Sequence, residues 1–312
     1  MNGGDHEHQY TCLHFAALAN KPDMCQLLLQ HGAKVDAINS VKRTASAMGA
    51  FVGNHECVAI INNFVPKEDV YYYTRKQPFE EEAKLPLKMA KPLHELVMTM
   101  NTHPIKVALV IKAYPDELLN NLPTLCKILE LMSEREFKNR RDVNEVMALK
   151  YHMLYYIVKD IRKQKEKDEK SDEPKKTPFI DRWIKSMLVG REIDGFPVFQ
   201  ENFLRQGVKE FSFMESQLFK SLVANFHHCQ NYGEGLSAAE YINQAFNGQR
   251  GFRDDENCDC CGDEKAQKKC SACKSVQYCS GACQKYHWFV HKKYCAKLKG
   301  NFHSFYWSNI FW

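Results

Sequence analysis

Eight residues between positions 258 and 295 have types and spacings suited to metal chemistry: Cys258-x2-Cys261-x8-Cys270-x2-Cys273-x5-Cys279-x3-Cys283-x7-His291-x3-Cys295. Closely spaced soft sulfur and imidazole donors are what tetrahedral Zn2+ asks of a protein, and eight of them predict two ions. A metal enclosed by four protein ligands keeps no position for water, so the expected role is structural and not hydrolytic. Cys260 stands outside the set, because an adjacent cysteine cannot replace a two-residue knuckle and Gly262 marks 258 and 261 as the pair. His287, four residues before His291, is read as a packing or hydrogen-bonding neighbour on the same helix face. So short a segment cannot bury a core of its own; the metals are expected to supply much of its folding free energy, on the order of 10 kcal/mol per site.

The rest of the chain has to hold this segment in place. With 312 residues, 44% hydrophobic and 26% charged, it can bury one large core or two to three small ones. No run of eighteen apolar residues and no basic leader into an apolar stretch is present, so neither membrane insertion nor secretion is expected. Eight of the thirteen cysteines fall between 258 and 295, which points to metal binding in a reducing compartment and away from disulfides. Cys12, Cys25, Cys57, Cys126 and Cys229 are read as small buried hydrophobes. The formal charge is +5, but two Zn2+ on seven thiolates would contribute −3 and bring it to about +2. Net charge therefore gives no support to a nucleic-acid partner.

An internal repeat opens the chain. Thr11-Cys12-Leu13-His14-Phe15-Ala16-Ala17 is answered 33 positions later by Thr44-Ala45-Ser46-Ala47-Met48-Gly49-Ala50. The first unit continues through Met24, Cys25, Leu27, Leu28 and Leu29 to Gly32, where the helix ends; Val58, Ile60 and Ile61 give the second its apolar face. This string resembles the ankyrin repeat, which implies about two helix pairs over residues 1–66 and assigns His14 to bracing neighbouring turns. Two repeats are fewer than a solenoid needs, so a capping repeat is either absent or supplied by packing against the following helices. Asn54-His55-Glu56-Cys57 is taken as the inter-helix turn and not as a methyltransferase cofactor string.

Residues 67–84 read as a connector, with Tyr71, Tyr72 and Tyr73 expected to tack it onto the repeats. Apolar residues at three- and four-residue steps predict a helical region over 85–161, with helices near 105–111, 118–132 and 143–161. Pro92, Pro104, Pro115 and Pro123 are placed near helix starts. A charged linker is expected over 162–178 and a second helical region over 179–250, including one helix near 203–226. His227, His228 and Cys229 are not taken as a metal site. The zinc module spans 251–299 and an aromatic tail 300–312, giving a mostly α chain.

With Tyr278, Gln284, Lys285, Tyr286, His287 and Trp288 at their positions among the ligands, the module resembles a MYND zinc finger. Spacing alone also permits consecutive ligand sets. The resemblance implies cross-braced ones, with Cys258, Cys261, Cys279 and Cys283 on one zinc and Cys270, Cys273, His291 and Cys295 on the other. It further implies a shallow surface for extended proline-containing peptides, lined by Ser271, Gln284 and Trp288. The order of repeats, helical middle and finger, with Asn62-Asn63-Phe64 and Asp194-Gly195-Phe196-Pro197-Val198, resembles the ankyrin-repeat and MYND-domain-containing protein 2 family.

That family resemblance implies a non-enzymatic cytoplasmic adaptor, active in trafficking signalling proteins to the cilium and paired with immunophilin-like partners. The alternative is a corepressor-type adaptor that recruits proline-containing motifs. It also implies a further ankyrin unit ahead of residue 5 and an acidic extension in place of the aromatic tail. Enzymatic readings lack their residues: there is no convincing SET segment, and no histidine stands in a His-x-Asp or His-x-Glu pair.

Overall fold

The computed structural model describes residues 6–138, 143–171, 177–191, 195–228, 235–248 and 257–300 apart from residue 265. Helices dominate, with only two short strands among the described residues.

Helices α1 (Cys12–Leu18), α2 (Pro22–Gln30), α3 (Ala45–Phe51) and α4 (His55–Asn62) form two stacked pairs over a small core of Leu13, Ala17, Cys25, Leu29, Cys57 and Ile61. His14 braces the stack as expected. Its Nδ1 accepts from Thr11 N and Oγ1 at 3.2 and 2.8 Å, which leaves Nε2 to donate to Arg43 O at 3.0 Å in the next turn. Asn54 serves the inter-helix turn by donating to Ala17 O and Leu18 O.

The segment after the repeats holds α5 (Lys67–Tyr71) and a 3-10 turn, then α6 (Leu87–Met98) and α7 (Pro104–Ala113). Tyr73 is buried in the main helical core together with Val65 and Val70, so the tyrosines tack the connector onto the helical body and not onto the repeats. Pro92 lies inside α6, where a start was expected; Pro104 does open α7.

Helix α8 (Leu122–Lys138) packs along α9 (Glu145–Glu169), the central element of the body. Met147, Tyr151, Leu154, Ile157 and Ile161 of α9 enter the main core, while Ala148, Leu149 and Met153 enter a second one. A helix between two cores has to be apolar nearly all round, which is why its amphipathic stripe is weak. It runs eight residues past the boundary expected at 161, supported by Arg162–Glu166 and Lys165–Glu169 pairs one turn apart.

Helices α10 (Phe179–Met187), α11 (Val198–Lys209), α12 (Gln217–His228) and α13 (Ala238–Asn247) follow. The single helix expected near 203–226 is two, because the chain turns between 210 and 216. Ser216 Oγ accepts from Phe219 N, and the Glu145 carboxylate accepts from Gln217 N and Leu218 N, so the new helix start is capped from outside. Helix α13 lies against α4 and covers the end of the repeats, so of the two alternatives a following helix supplies the cap. His227 and His228 are exposed and belong to no metal-binding group among the described residues; Cys229 lies outside them.

The finger comprises the hairpin β1 (Lys268–Lys269) and β2 (Gln277–Tyr278), then α14 (Gly281–His291) and α15 (Cys295–Gly300). Its buried cysteines, with Ala266, Val276, Tyr278 and Val290, belong to the same apolar cluster as Leu93, Ile105, Ile111 and Ile184 of the body. The finger therefore shares a core with the helices instead of standing apart from them.

Candidate metal centre and docking face

Two knuckles present the cysteines. In the first, Gly262 N donates to Cys258 O at 2.8 Å and Gly262 adopts a left-handed φ of 68°, which closes the turn tightly enough to aim both sulfurs inward. In the second, Lys274 N donates to Cys270 O at 3.0 Å, and Lys274 holds φ 61° at the corresponding position. The hairpin brings Cys279 beside the first knuckle. Ser280 then caps α14, its Oγ accepting from Cys283 N at 3.2 Å, and so sets Cys283 on the first turn and His291 on the last.

These elements produce two groups. Cys258, Cys261, Cys279 and Cys283 place their sulfurs within 4.8 Å of one another, as do Cys270, Cys273 and Cys295 with a ring nitrogen of His291. The sets alternate along the chain, so the geometry is the cross-braced arrangement and not the consecutive one. Sulfurs 3.6 to 3.7 Å apart join Cys261, Cys279 and Cys283, and Cys270 lies 3.8 Å from Cys295. A tetrahedral ion with Zn–S bonds of about 2.3 Å would separate its sulfurs by about 3.8 Å, so the cages have the right size. The His291 ring is fully buried with Nε2 3.5 Å from Cys273 Sγ, and its Nδ1 has no hydrogen-bond partner among the described residues. Burying such a ring beside thiols is costly unless a cation draws on it. The residues fit two structural zinc ions.

Cys260 is also buried but falls outside both groups. His287 does too: its Nδ1 lies 3.1 Å from Tyr278 OH, and burial holds its pKa down at about 4. The neutral ring packs under α14 as a structural neighbour.

Residues far away in sequence fix the finger to the body, and no local pattern announces them. Asn101 Nδ2 donates to Cys261 O at 2.9 Å, and Lys106 Nζ meets Asp263 Oδ2 at 2.6 Å, so the turn between α6 and α7 grips the first knuckle. Burial alone would depress Lys106, but the Asp263 carboxylate outweighs it and raises the pKa. On the rear of α14, Tyr286 OH and Lys112 Nζ both donate to Asp181 Oδ1 at 2.5 Å. Those two donors overcome the effect of burial and hold Asp181 below its usual range.

The anchored rear leaves the other side of α14 to solvent. Gln284 is half-buried, and Trp288, one turn further on the same side, is 49% exposed. The indole meets His291 edge-on at 5.9 Å between ring centres, which seats it against the second group. Ser271 is exposed in the knuckle that contributes Cys270 and Cys273 to that group.

Comparison with known proteins agrees with these features. The family model described as MYND finger matches residues 258–295, and that described as Ankyrin repeat matches residues 8–40. The chain is 34% identical over 297 residues to Dauer abnormal formation protein 25 of Caenorhabditis elegans, covering 93% of this chain and 74% of that one. No solved structure matches. Similarity that runs from the repeats through the helical body to the finger places the chain in the ankyrin-repeat and MYND-domain-containing protein 2 family.

Proposed function

We propose that this protein is a non-enzymatic adaptor that holds one partner on its ankyrin repeats and another on its zinc finger. Cys258, Cys261, Cys279 and Cys283 would hold one Zn2+, and Cys270, Cys273, His291 and Cys295 the other. Both ions would serve as scaffold, since each has four protein donors and no place for a reacting water. The finger's working surface would be Ser271, Gln284 and Trp288, where an extended proline-containing segment lies across the indole and pairs its backbone with the Gln284 amide.

The observation that carries this reading is Trp288. It is the one large hydrophobic side chain of the described finger that stands exposed, while Tyr286 on the same helix is anchored to Asp181 and Val290 is buried. A side chain placed this way adds little to the core and much to a docking surface. Family membership supports a setting in cytoplasmic trafficking of signalling proteins to the cilium, with immunophilin-like proteins among the partners. Among the described residues no helix is long and apolar enough to cross a membrane.

The test is a quantitative pull-down from ciliated cells with wild type, Trp288→Ala and Cys270→Ser. The expected result is loss of the same set of partners in both variants, with zinc content and thermal stability kept only in Trp288→Ala. An unchanged partner set in both would remove the finger from the function.

A further inference from the structure

The charge around Trp288 is one-sided. All eight described lysines between 268 and 299 are exposed, and none makes an ion pair within the described structure. In the helical body, by contrast, Lys138 pairs with Glu134 and Lys165 with Glu169 one turn away. Two of the finger's three carboxylates are engaged elsewhere: Asp263 is taken by Lys106 of the body, and Asp259 accepts from Gln277 N. Even after the −3 of two zinc–thiolate groups, residues 258–299 keep a balance of about +3.

The lysines also have an address. Lys285 precedes Trp288 by three residues and Lys292 follows it by four, so both flank the indole on the solvent side of α14. Lys274 stands in the knuckle that bears Ser271 and holds a left-handed φ of 61°, where its counterpart in the other knuckle is Gly262 at 68°. A lysine there costs about 1 kcal/mol of backbone strain that glycine would avoid.

We propose that Lys274, Lys285 and Lys292 form a cationic rim around Trp288 that selects peptides carrying aspartate or glutamate beside the residue seated on the indole. The proposal rests on the reading of Trp288 as a peptide platform and adds the chemistry of the peptide's flanks. A peptide fits better than the other polyanions. Single-stranded nucleic acid calls for a row of stacking aromatics, and an anionic membrane calls for a broad apolar face, whereas this face offers one indole.

The experiment uses the zinc-loaded full chain and two fluorescent probe peptides. One has a Pro-Ala-Leu-Pro centre with three acidic residues on either side; the other has the acids replaced by their amides. The acidic probe is expected to bind at least about tenfold tighter at low salt, with the advantage shrinking as ionic strength rises. Lys285→Glu combined with Lys292→Glu should erase that difference and leave amide-probe binding in place, with zinc content and melting temperature unchanged. Trp288→Ala should abolish both.

Equal binding of the two probes by wild type would overturn the proposal while leaving the platform standing. Binding of neither would overturn both. Vesicles of phosphatidylserine and a single-stranded RNA serve as competing probes, and lysine-dependent binding of either without acidic-peptide preference would also overturn it.

Discussion

The ammonium of Lys150 donates to the side-chain oxygen of Asn63 at 2.8 Å, joining the end of the ankyrin unit to the second turn of the central helix. Its other bond goes to Val97 O at 2.7 Å, and Asn63 in turn donates to Asn247 Oδ1 at 2.7 Å. Repeats, helical body and the helix before the finger thus meet at one fully buried lysine.

Burial lowers the pKa of Lys150 from 10.5 to about 7. The unfolded chain binds this proton up to about pH 10.5, so between about pH 7 and 10.5 the unfolded state holds more protons than the folded one, and stability rises with pH. Below both values the cost of burying the charge is present in full. The expected contribution is up to about 1.4 kcal/mol per pH unit across that window. Urea unfolding of zinc-loaded protein from pH 7 to 9 should show it, and Lys150→Met should flatten the slope relative to wild type. Equal slopes in the two proteins would refute the assignment.

Chelating the zinc is expected to do more than melt the finger. Val276, Tyr278 and Val290 pack in the same cluster as Leu93, Ile105 and Ile184, so loosening the finger exposes the flank of the helical body. The body's melting temperature should fall by several degrees on addition of a chelator and recover with added Zn2+. Two independent transitions, the helical one unmoved, would count against a shared core.

Asn101→Ala removes a donor to Cys261 O and an acceptor for His103 N. The loss should be about 1 to 3 kcal/mol, felt first at the knuckle of Cys258 and Cys261. Competition with a chromophoric chelator should then show faster release of one zinc and an unchanged rate for the other. A uniform acceleration of both would contradict this local grip.

Gly195 holds φ 75°, and a Cβ built on it would run into the Tyr294 ring. Gly195→Ala is therefore expected to cost more than the roughly 1 kcal/mol of a left-handed backbone alone. It should also speed zinc loss from the second group, since Tyr294 adjoins Cys295. Gly53→Ala, with φ 78° and open space where the Cβ would go, is the control and should show only the backbone cost.

Much of the site was legible because its information is local. The two knuckles close within a few residues, and spacing records them. The ligand partition was not readable from spacing, and it was the family resemblance that pointed to the cross-braced sets the geometry displays. The anchors were silent for a physical reason: Asp181 and Tyr286 are 105 positions apart, and Asn101 and Cys261 are 160 apart, so no periodicity relates them. Lys150 did leave a trace, a lysine within the apolar pattern of 143–161 that a solvent-facing helix would not place there. The split of 203–226 into α11 and α12 was hidden because its cap comes from Glu145, outside the segment.

The anchorage of Tyr286 and Asp181 also bears on avidity. A module hung on a supple tether presents its cargo over a sphere whose radius follows the tether's length, and the local concentration of cargo thins with that length. Here the bearing of Trp288 is set by packed helices, and α13 against α4 fixes the repeats to the same frame. Two cargoes carried together would keep one separation and one mutual orientation. On the proposed adaptor role the protein would work as a jig: it would favour pairs of cargoes whose own shapes match that spacing and penalise pairs that do not.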